Sequence, residues 1–193
     1  MPLIEISVLI FAYLMGSISS AIIISKLMGY GDPRDSGSQN PGATNMVRIA
    51  GKKAGALTFL GDILKGVIPV LVARQFDLSM LWSSGVVVAA FLGHCLPVFF
   101  AFKGGKGVAT VFGAVSTLNW QIGLVIFIVW IIVFLVFHIS SLSGIASAIS
   151  LPFAAYYFAP ESYLPMSIMA LLMIWRHQEN IKGLLSGKER RID

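Results

Sequence analysis

The chain is poor in charge, in acid and in cysteine. Of its 193 residues only 12% are charged, with nine Asp and Glu against fourteen Lys and Arg, while 56% are hydrophobic. Charge that sparse cannot cover the polar shell of a soluble fold of this length. The single cysteine, Cys95, excludes an intramolecular disulfide and any multi-cysteine metal site. A free Cys most often packs as a small apolar residue. No Gly-x4-Gly-Lys-Ser/Thr occurs, which excludes a Walker A loop. No repeat or low-complexity tract is visible either.

The chain is instead rich in long apolar runs, and its mean hydropathy is +0.83. Seven segments stand out: Leu3 to Met28, Ala54 to Arg74, Met80 to Phe100, Val108 to Leu118, Trp120 to Phe137, Leu142 to Phe158 and Tyr163 to Trp175. A bilayer core about 30 Å thick asks for roughly twenty apolar residues per helix. The expected fold is therefore an all-α membrane protein, a single domain over 1–193, with about seven transmembrane helices. Val108 to Leu118 is short, reaching about half to two-thirds of the hydrocarbon, and reads as a tilted or half-helix after a Gly-rich loop. The first run starts with Glu5 rather than a basic region and is long and uninterrupted, so it reads as an uncleaved span.

Alternating crossings put Lys26, Arg34, Arg48, Lys52, Lys53, Lys103, Lys106, Arg176, Lys182, Lys188, Arg190 and Arg191 on one side. The other side receives Arg74 with Glu5, Asp77 and Glu161. Positive residues favour the cytoplasm, which sets the N-terminus outside and the C-terminus inside. Nearly all the Gly, Asn, Ser and His outside the apolar runs lie on that cytoplasmic side, where loops carry function.

Three polar segments on this face could hold phosphate. In the first, Ser36, Ser38, Asn40, Gly42, Thr44 and Asn45 form a loop opening a helix, with Arg48 one turn in. Small residues let backbone N–H groups reach an anion, though Asn-Pro-Gly is also an ordinary turn signal. The second runs from Gly93 and His94 to Lys103, Gly104, Gly105, Lys106, Gly107 and Thr110. It sets two ammonium groups and three glycines at a helix start, where the dipole favours phosphate; two lysines alone would merely obey the positive-inside rule. The third runs from Arg176, His177 and Asn180 through Lys182 to Lys188 and Glu189; if it continues the last helix, Arg176 and Asn180 are one turn apart. A basic juxtamembrane tail is the plainer alternative for this segment.

Asp62 and Lys65, three apart in an apolar run, can pair on one helix face and orient the nearby loops. Ser140, Ser141 and Ser143 after His138 form a small polar cluster on the cytoplasmic side that reads most simply as a helix cap, with Ser141 also a candidate phosphate-binding residue.

Together these stretches resemble the bacterial acyl-phosphate:glycerol-3-phosphate acyltransferases of the inner membrane. The matching residues are Ser36-Gly-Ser-Gln-Asn-Pro-Gly-Ala-Thr-Asn45 with Arg48, Gly61-Asp62-x-x-Lys65-Gly66, Gly93-His94-x-x-Pro97-x-Phe99, Phe102-Lys-Gly-Gly-Lys-Gly-Val-Ala-Thr110 and Arg176-His177-x-x-Asn180-Ile. The resemblance covers essentially the whole chain. It implies acyl transfer from acyl phosphate to the 1-hydroxyl of glycerol 3-phosphate, giving 1-acyl-glycerol 3-phosphate and inorganic phosphate. This is the first acylation of phospholipid synthesis, without acyl-CoA as donor. The two phosphate substrates and membrane lipid are the implied partners, with no nucleic acid and a monomeric enzyme.

An activated mixed anhydride calls for neither metal nor cofactor, and no covalent enzyme intermediate. None of His94, His138 or His177 has Asp five positions on, so the His-x4-Asp arrangement of soluble glycerolipid acyltransferases is missing. His177 and then His94 are candidate bases, and the substrate's own phosphate is a third. A transporter of a phosphorylated solute is the alternative from another class. The absence of a repeated half and the gathering of polar groups on one face count against it.

Overall fold

The computed structural model describes residues 2–191, and every regular element among them is helical. Helices α1 (Pro2–Gly16) and α2 (Ser20–Leu27) replace the single expected first span and are bent by 40°. Serines cause the break. The Ser17 hydroxyl donates to the Tyr13 carbonyl at 2.8 Å, and Ser19 caps α2 by accepting from the Ile22 N–H at 3.5 Å. Side chains that bond their own backbone compete with the helical ladder. The freed Ile18 carbonyl accepts from the Lys65 ammonium at 2.8 Å, and Lys65 is paired with Asp62 at 2.9 Å. The expected intramembrane pair forms, and it also completes a broken helix. Gly16 lets α1 touch α4, since a Cβ there would meet the Ala90 carbonyl.

Helix α3 (Ala43–Gln75) begins eleven residues before the expected apolar start and kinks at Gly51, whose φ of 82° lies outside the helical region. Helix α4 (Met80–Cys95) ends ahead of Pro97 and a 3₁₀ turn (Val98–Phe100). The short segment after the Gly-rich loop is α5 (Val108–Leu118), eleven residues long. It is followed by α6 (Trp120–Phe137) and α7 (Ser140–Phe158). A 3₁₀ turn (Pro160–Ser162) leads into α8 (Tyr163–Arg176), and α9 (Gln178–Leu185) closes the order. The expected cap by Ser140, Ser141 or Ser143 is not formed. Ile139 occupies the N-cap position without a side-chain bond, and Ser143 bonds back to the Ile139 carbonyl.

Helices α3, α6 and α7, and α4 taken with the turn that follows it (Met80–Phe100), are long and apolar enough to cross a membrane, and the bent α1–α2 pair makes a fifth span if counted as one. The core joins α1, α3, α4, α5, α6, α7 and α8 around Phe91, Val111, Ile122, Leu151, Met166, Met169 and Met173. Helix α6 adds Ile122 and Ile126 to this core but lies at its edge, with only 17% of its residues buried. An apolar helix with most of its surface bare of protein needs lipid around it.

Candidate active site

At the end of the bundle where the basic loops gather lies a cavity of about 710 Å³. Its wall comes from the loop before α3, the starts of α5 and α7, the end of α8, helix α9 and the tail. Asn45 shapes the first loop. Its Oδ1 accepts from the Ser38 N–H at 2.8 Å, and its Nδ2 donates to the Pro33 and Ser36 carbonyls at 2.9 and 3.1 Å. Asn45 is 1% exposed, so its amide holds the loop. Gly42 is the N-cap of α3 and offers no side chain, which leaves the first N–H groups open toward the cavity that Asn40, Thr44 and Arg48 also line. Thr44 shares a 3.1 Å hydrogen bond with Ser140, tying this loop to α7. Arg34, held by Asp32 in an ion pair at 2.6 Å, donates to the Phe100 carbonyl at 3.0 Å and braces the loop against the α4–α5 connection.

The second loop is held from behind. Arg176 donates to the carbonyls of Gly104 at 3.0 Å and Gly105 at 3.1 Å, and the Gly105 N–H donates to the His94 carbonyl at 3.1 Å. A Cβ on Gly105 would strike the His94 ring, and Gly107 sits at φ 82° as the N-cap of α5. Both positions exclude a larger residue. His94 is 6% exposed, shares a 3.2 Å hydrogen bond with Thr110 through Nδ1, and lies 3.7 Å from Asp62 Oδ1. It lines the cavity together with Asp62. Lys106 reaches the cavity and donates to Asn180 Oδ1. Burial pushes its ammonium below the usual lysine range.

The third segment does not continue α8. The helix stops at His177 (φ −94°, ψ 10°), whose ring Nδ1 bonds to the Met173 carbonyl at 2.8 Å. A carbonyl only accepts, so Nδ1 carries the proton and Nε2 keeps a lone pair in the neutral ring. Burial, only partly offset by the Met173 bond, lowers this imidazole to about 4. The break sends Arg176 to the glycine loop and Asn180 to Lys106.

The cavity thus brings together Asn40, Gly42, Thr44, Asn45, Arg48, Asp62, His94, Lys106, Gly107, Ser141, His177 and Asn180. Other expected site residues stand apart from its lining. Ser36 and Lys103 are exposed outside it, while Gly104, Gly105, Thr110, Arg176 and Lys65 support the wall from behind. Lys188, Glu189 and Arg190 line the cavity from the tail; the first two close the third polar segment, but none of them was an expected site residue. The tail carries three bases, Lys188, Arg190 and Arg191, and two acids, Glu189 and Asp193, and no spacing among them singles out the cavity.

A smaller apolar crevice of about 90 Å³ adjoins the cavity and shares Phe59, Val108, Ala109 and Trp130 with it. It is completed by Phe112, Phe127, Leu151 and Met173.

Lipid-length apolar helices and an amphipathic cavity crowded with cations define a multi-pass membrane protein with an anion-receptive site at one end. The model of one family, glycerol-3-phosphate acyltransferase, matches residues 6–187. The glycerol-3-phosphate acyltransferase of Haemophilus influenzae (strain PittGG) is 45% identical over 192 residues, covering 100% of this chain and 96% of its own. That of Methylococcus capsulatus (strain Bath) is 46% identical over 184 residues, covering 94% and 93%. The crystal structure of PlsY, an integral membrane glycerol 3-phosphate acyltransferase, in its glycerol 3-phosphate form superposes with a TM-score of 0.92 at 41% identity, covering 98% of this chain and 96% of that one. Its lysophosphatidic acid form gives 0.90 at 40% identity. The chain belongs to the glycerol-3-phosphate acyltransferase family.

Proposed function

We propose that this chain transfers a fatty acyl group from acyl phosphate to the 1-hydroxyl of glycerol 3-phosphate at the cytoplasmic face of a bacterial inner membrane. As a family member it is an acyltransferase acting on glycerol 3-phosphate. The observation that carries the fuller reading is one cavity lined by Arg48, Lys106, Asn180, Ser141 and a neutral His177, sharing four wall residues with an apolar crevice. Two phosphate groups need cations and backbone donors, and a fatty chain needs the crevice.

The hydroxyl oxygen attacks the acyl carbon, the carbon–oxygen bond to phosphate breaks, and the pair of electrons leaves with inorganic phosphate. The hydroxyl proton goes to a phosphate oxygen of glycerol 3-phosphate, whose second pKa of about 6 suits a base near neutrality. His177, titrating at about 4, is the weaker proton acceptor of the two. The chain's own residues then act by positioning and by neutralising charge. His94, walled in by Thr110 and Gly105, supports the glycine loop.

Seven crossings follow if α5 and α8 each traverse, with the α1–α2 pair as one bent span. The N-terminus is then outside, and the single domain works as a monomer. The test is phosphate release and lysophosphatidic acid formation by purified protein in lipid nanodiscs. Palmitoyl phosphate with glycerol 3-phosphate is compared with palmitoyl-CoA as donor. Product from the phosphate donor alone supports the reading, and product from the CoA donor alone overturns it.

A further inference from the structure

Beyond α9 the chain turns back on itself. Gly187 takes φ 68°, and the N–H groups of Lys188 and Glu189 donate to the Gly183 carbonyl at 2.8 and 3.1 Å. This hairpin brings the Glu189 carboxylate to the cavity wall. Its Oε1 accepts from the Ser141 hydroxyl at 2.6 Å and from Asn180 Nδ2 at 2.7 Å. The start of α7, helix α9 and the tail meet on one carboxylate oxygen.

A carboxylate accepts and cannot donate, whereas an amide has one donating and one accepting end. Asn180 must therefore turn Nδ2 toward Glu189, and its Oδ1 is forced to the other side, where it accepts from the Lys106 ammonium. Ser141 likewise spends its proton on Glu189 and presents lone pairs elsewhere. An amide without such a neighbour could turn its NH2 toward Lys106 and repel it.

We propose that Glu189 is a positioning residue that fixes the hydrogen-bond polarity of Asn180 and Ser141 and so aims the Lys106 ammonium at the substrate phosphate. The inference rests on the cavity being the acyl-transfer site. Both Glu189 hydrogen bonds across the cavity wall go to Asn180 and Ser141, and it acts through them.

The experiment is a double-mutant cycle on the full-length protein in nanodiscs, comparing wild type, Glu189→Gln, Asn180→Ala and the double variant. The readouts are KM for glycerol 3-phosphate, kcat and thermal midpoint. A Gln can present its own NH2 and release the amide of Asn180 to flip. Glu189→Gln is expected to raise KM about tenfold or more, with the midpoint within a few degrees of wild type. The double variant is expected to lose little beyond Asn180→Ala, because residues acting through one another are not additive. Fully additive losses, or a lowered midpoint with unchanged KM, would make Glu189 a merely structural tether and overturn the proposal. If Glu189→Gln does not fold, Glu189→Asp, which keeps the charge but withdraws it by one methylene, carries the same cycle. Additivity there overturns it equally. Wild-type protein that forms no lysophosphatidic acid contradicts the acyl-transfer reading instead, and the cycle is then read on the affinity for glycerol 3-phosphate.

Discussion

At the scale of single residues, the protonation of His177 decides how the proton moves. Its imidazole is nearly fully buried, donates from Nδ1 to the Met173 carbonyl, and is held down to about 4 chiefly by burial. It is neutral across the physiological range. If substrate phosphate takes the proton, kcat/KM should rise with pH through an acid limb near about 6. His177→Gln should lower the rate and leave that limb where it is. A limb near 4 that vanishes in His177→Gln would make the histidine the base. The same shift affects stability. The folded value lies below the unfolded one of about 6.5, so the native state binds fewer protons than the unfolded chain between them. His177 therefore stabilises the fold fully above 6.5 and loses that contribution as pH falls toward 4.

At the scale of elements, the break between α1 and α2 depends on α3. Asp62 and Lys65 are 3% and 4% exposed, and Lys65 fills the carbonyl left open at Ile18. Removing one partner of a buried pair leaves an uncompensated charge costing about 3–5 kcal/mol. Asp62→Ala should lower the thermal midpoint by several degrees, and Asp62→Ala with Lys65→Met should recover part of the loss. An unchanged midpoint in Asp62→Ala would mean that Lys65 is neutralised elsewhere. Sequence reasoning reached the pair because two opposite charges three apart in an apolar run have few other partners. It located the apolar helices because hydrophobic length is a strong local signal, and it foresaw the short α5. The break at Ser17–Ser19 escaped it, since serines inside an apolar run are compatible with an unbroken helix. So did the end of α8 at His177, which depends on a ring nitrogen reaching Met173. The pairing of Glu189 was not legible because its partners, Ser141 and Asn180, are 48 and 9 residues away.

At the scale of the whole molecule, two ends differ in chemistry. Trp120, Tyr156, Tyr157 and Tyr163 are exposed at one end, where Asn119 bridges to the Phe158 carbonyl. Amphipathic rings of that kind favour the membrane–water boundary. The cation-lined cavity sits at the other end. Cys95 is buried, so a cysteine introduced at an exposed site can be read against a low background. Ser186→Cys should be labelled by an impermeant maleimide only after cells are opened. Leu81→Cys should be labelled in intact cells, and the reverse pattern would invert the topology. The central claim is that both phosphate-bearing substrates meet at Lys106 and its partners. The measurement that tests it most directly is lysophosphatidic acid formation by Lys106→Ala against wild type, in nanodiscs, with palmitoyl phosphate and varied glycerol 3-phosphate. Loss of a charge-assisted contact worth about 2–3 kcal/mol predicts a fall in kcat/KM of roughly 30- to 150-fold in protein that still folds. Wild-type kcat/KM in Lys106→Ala would contradict the account and put the acyl transfer elsewhere in the molecule.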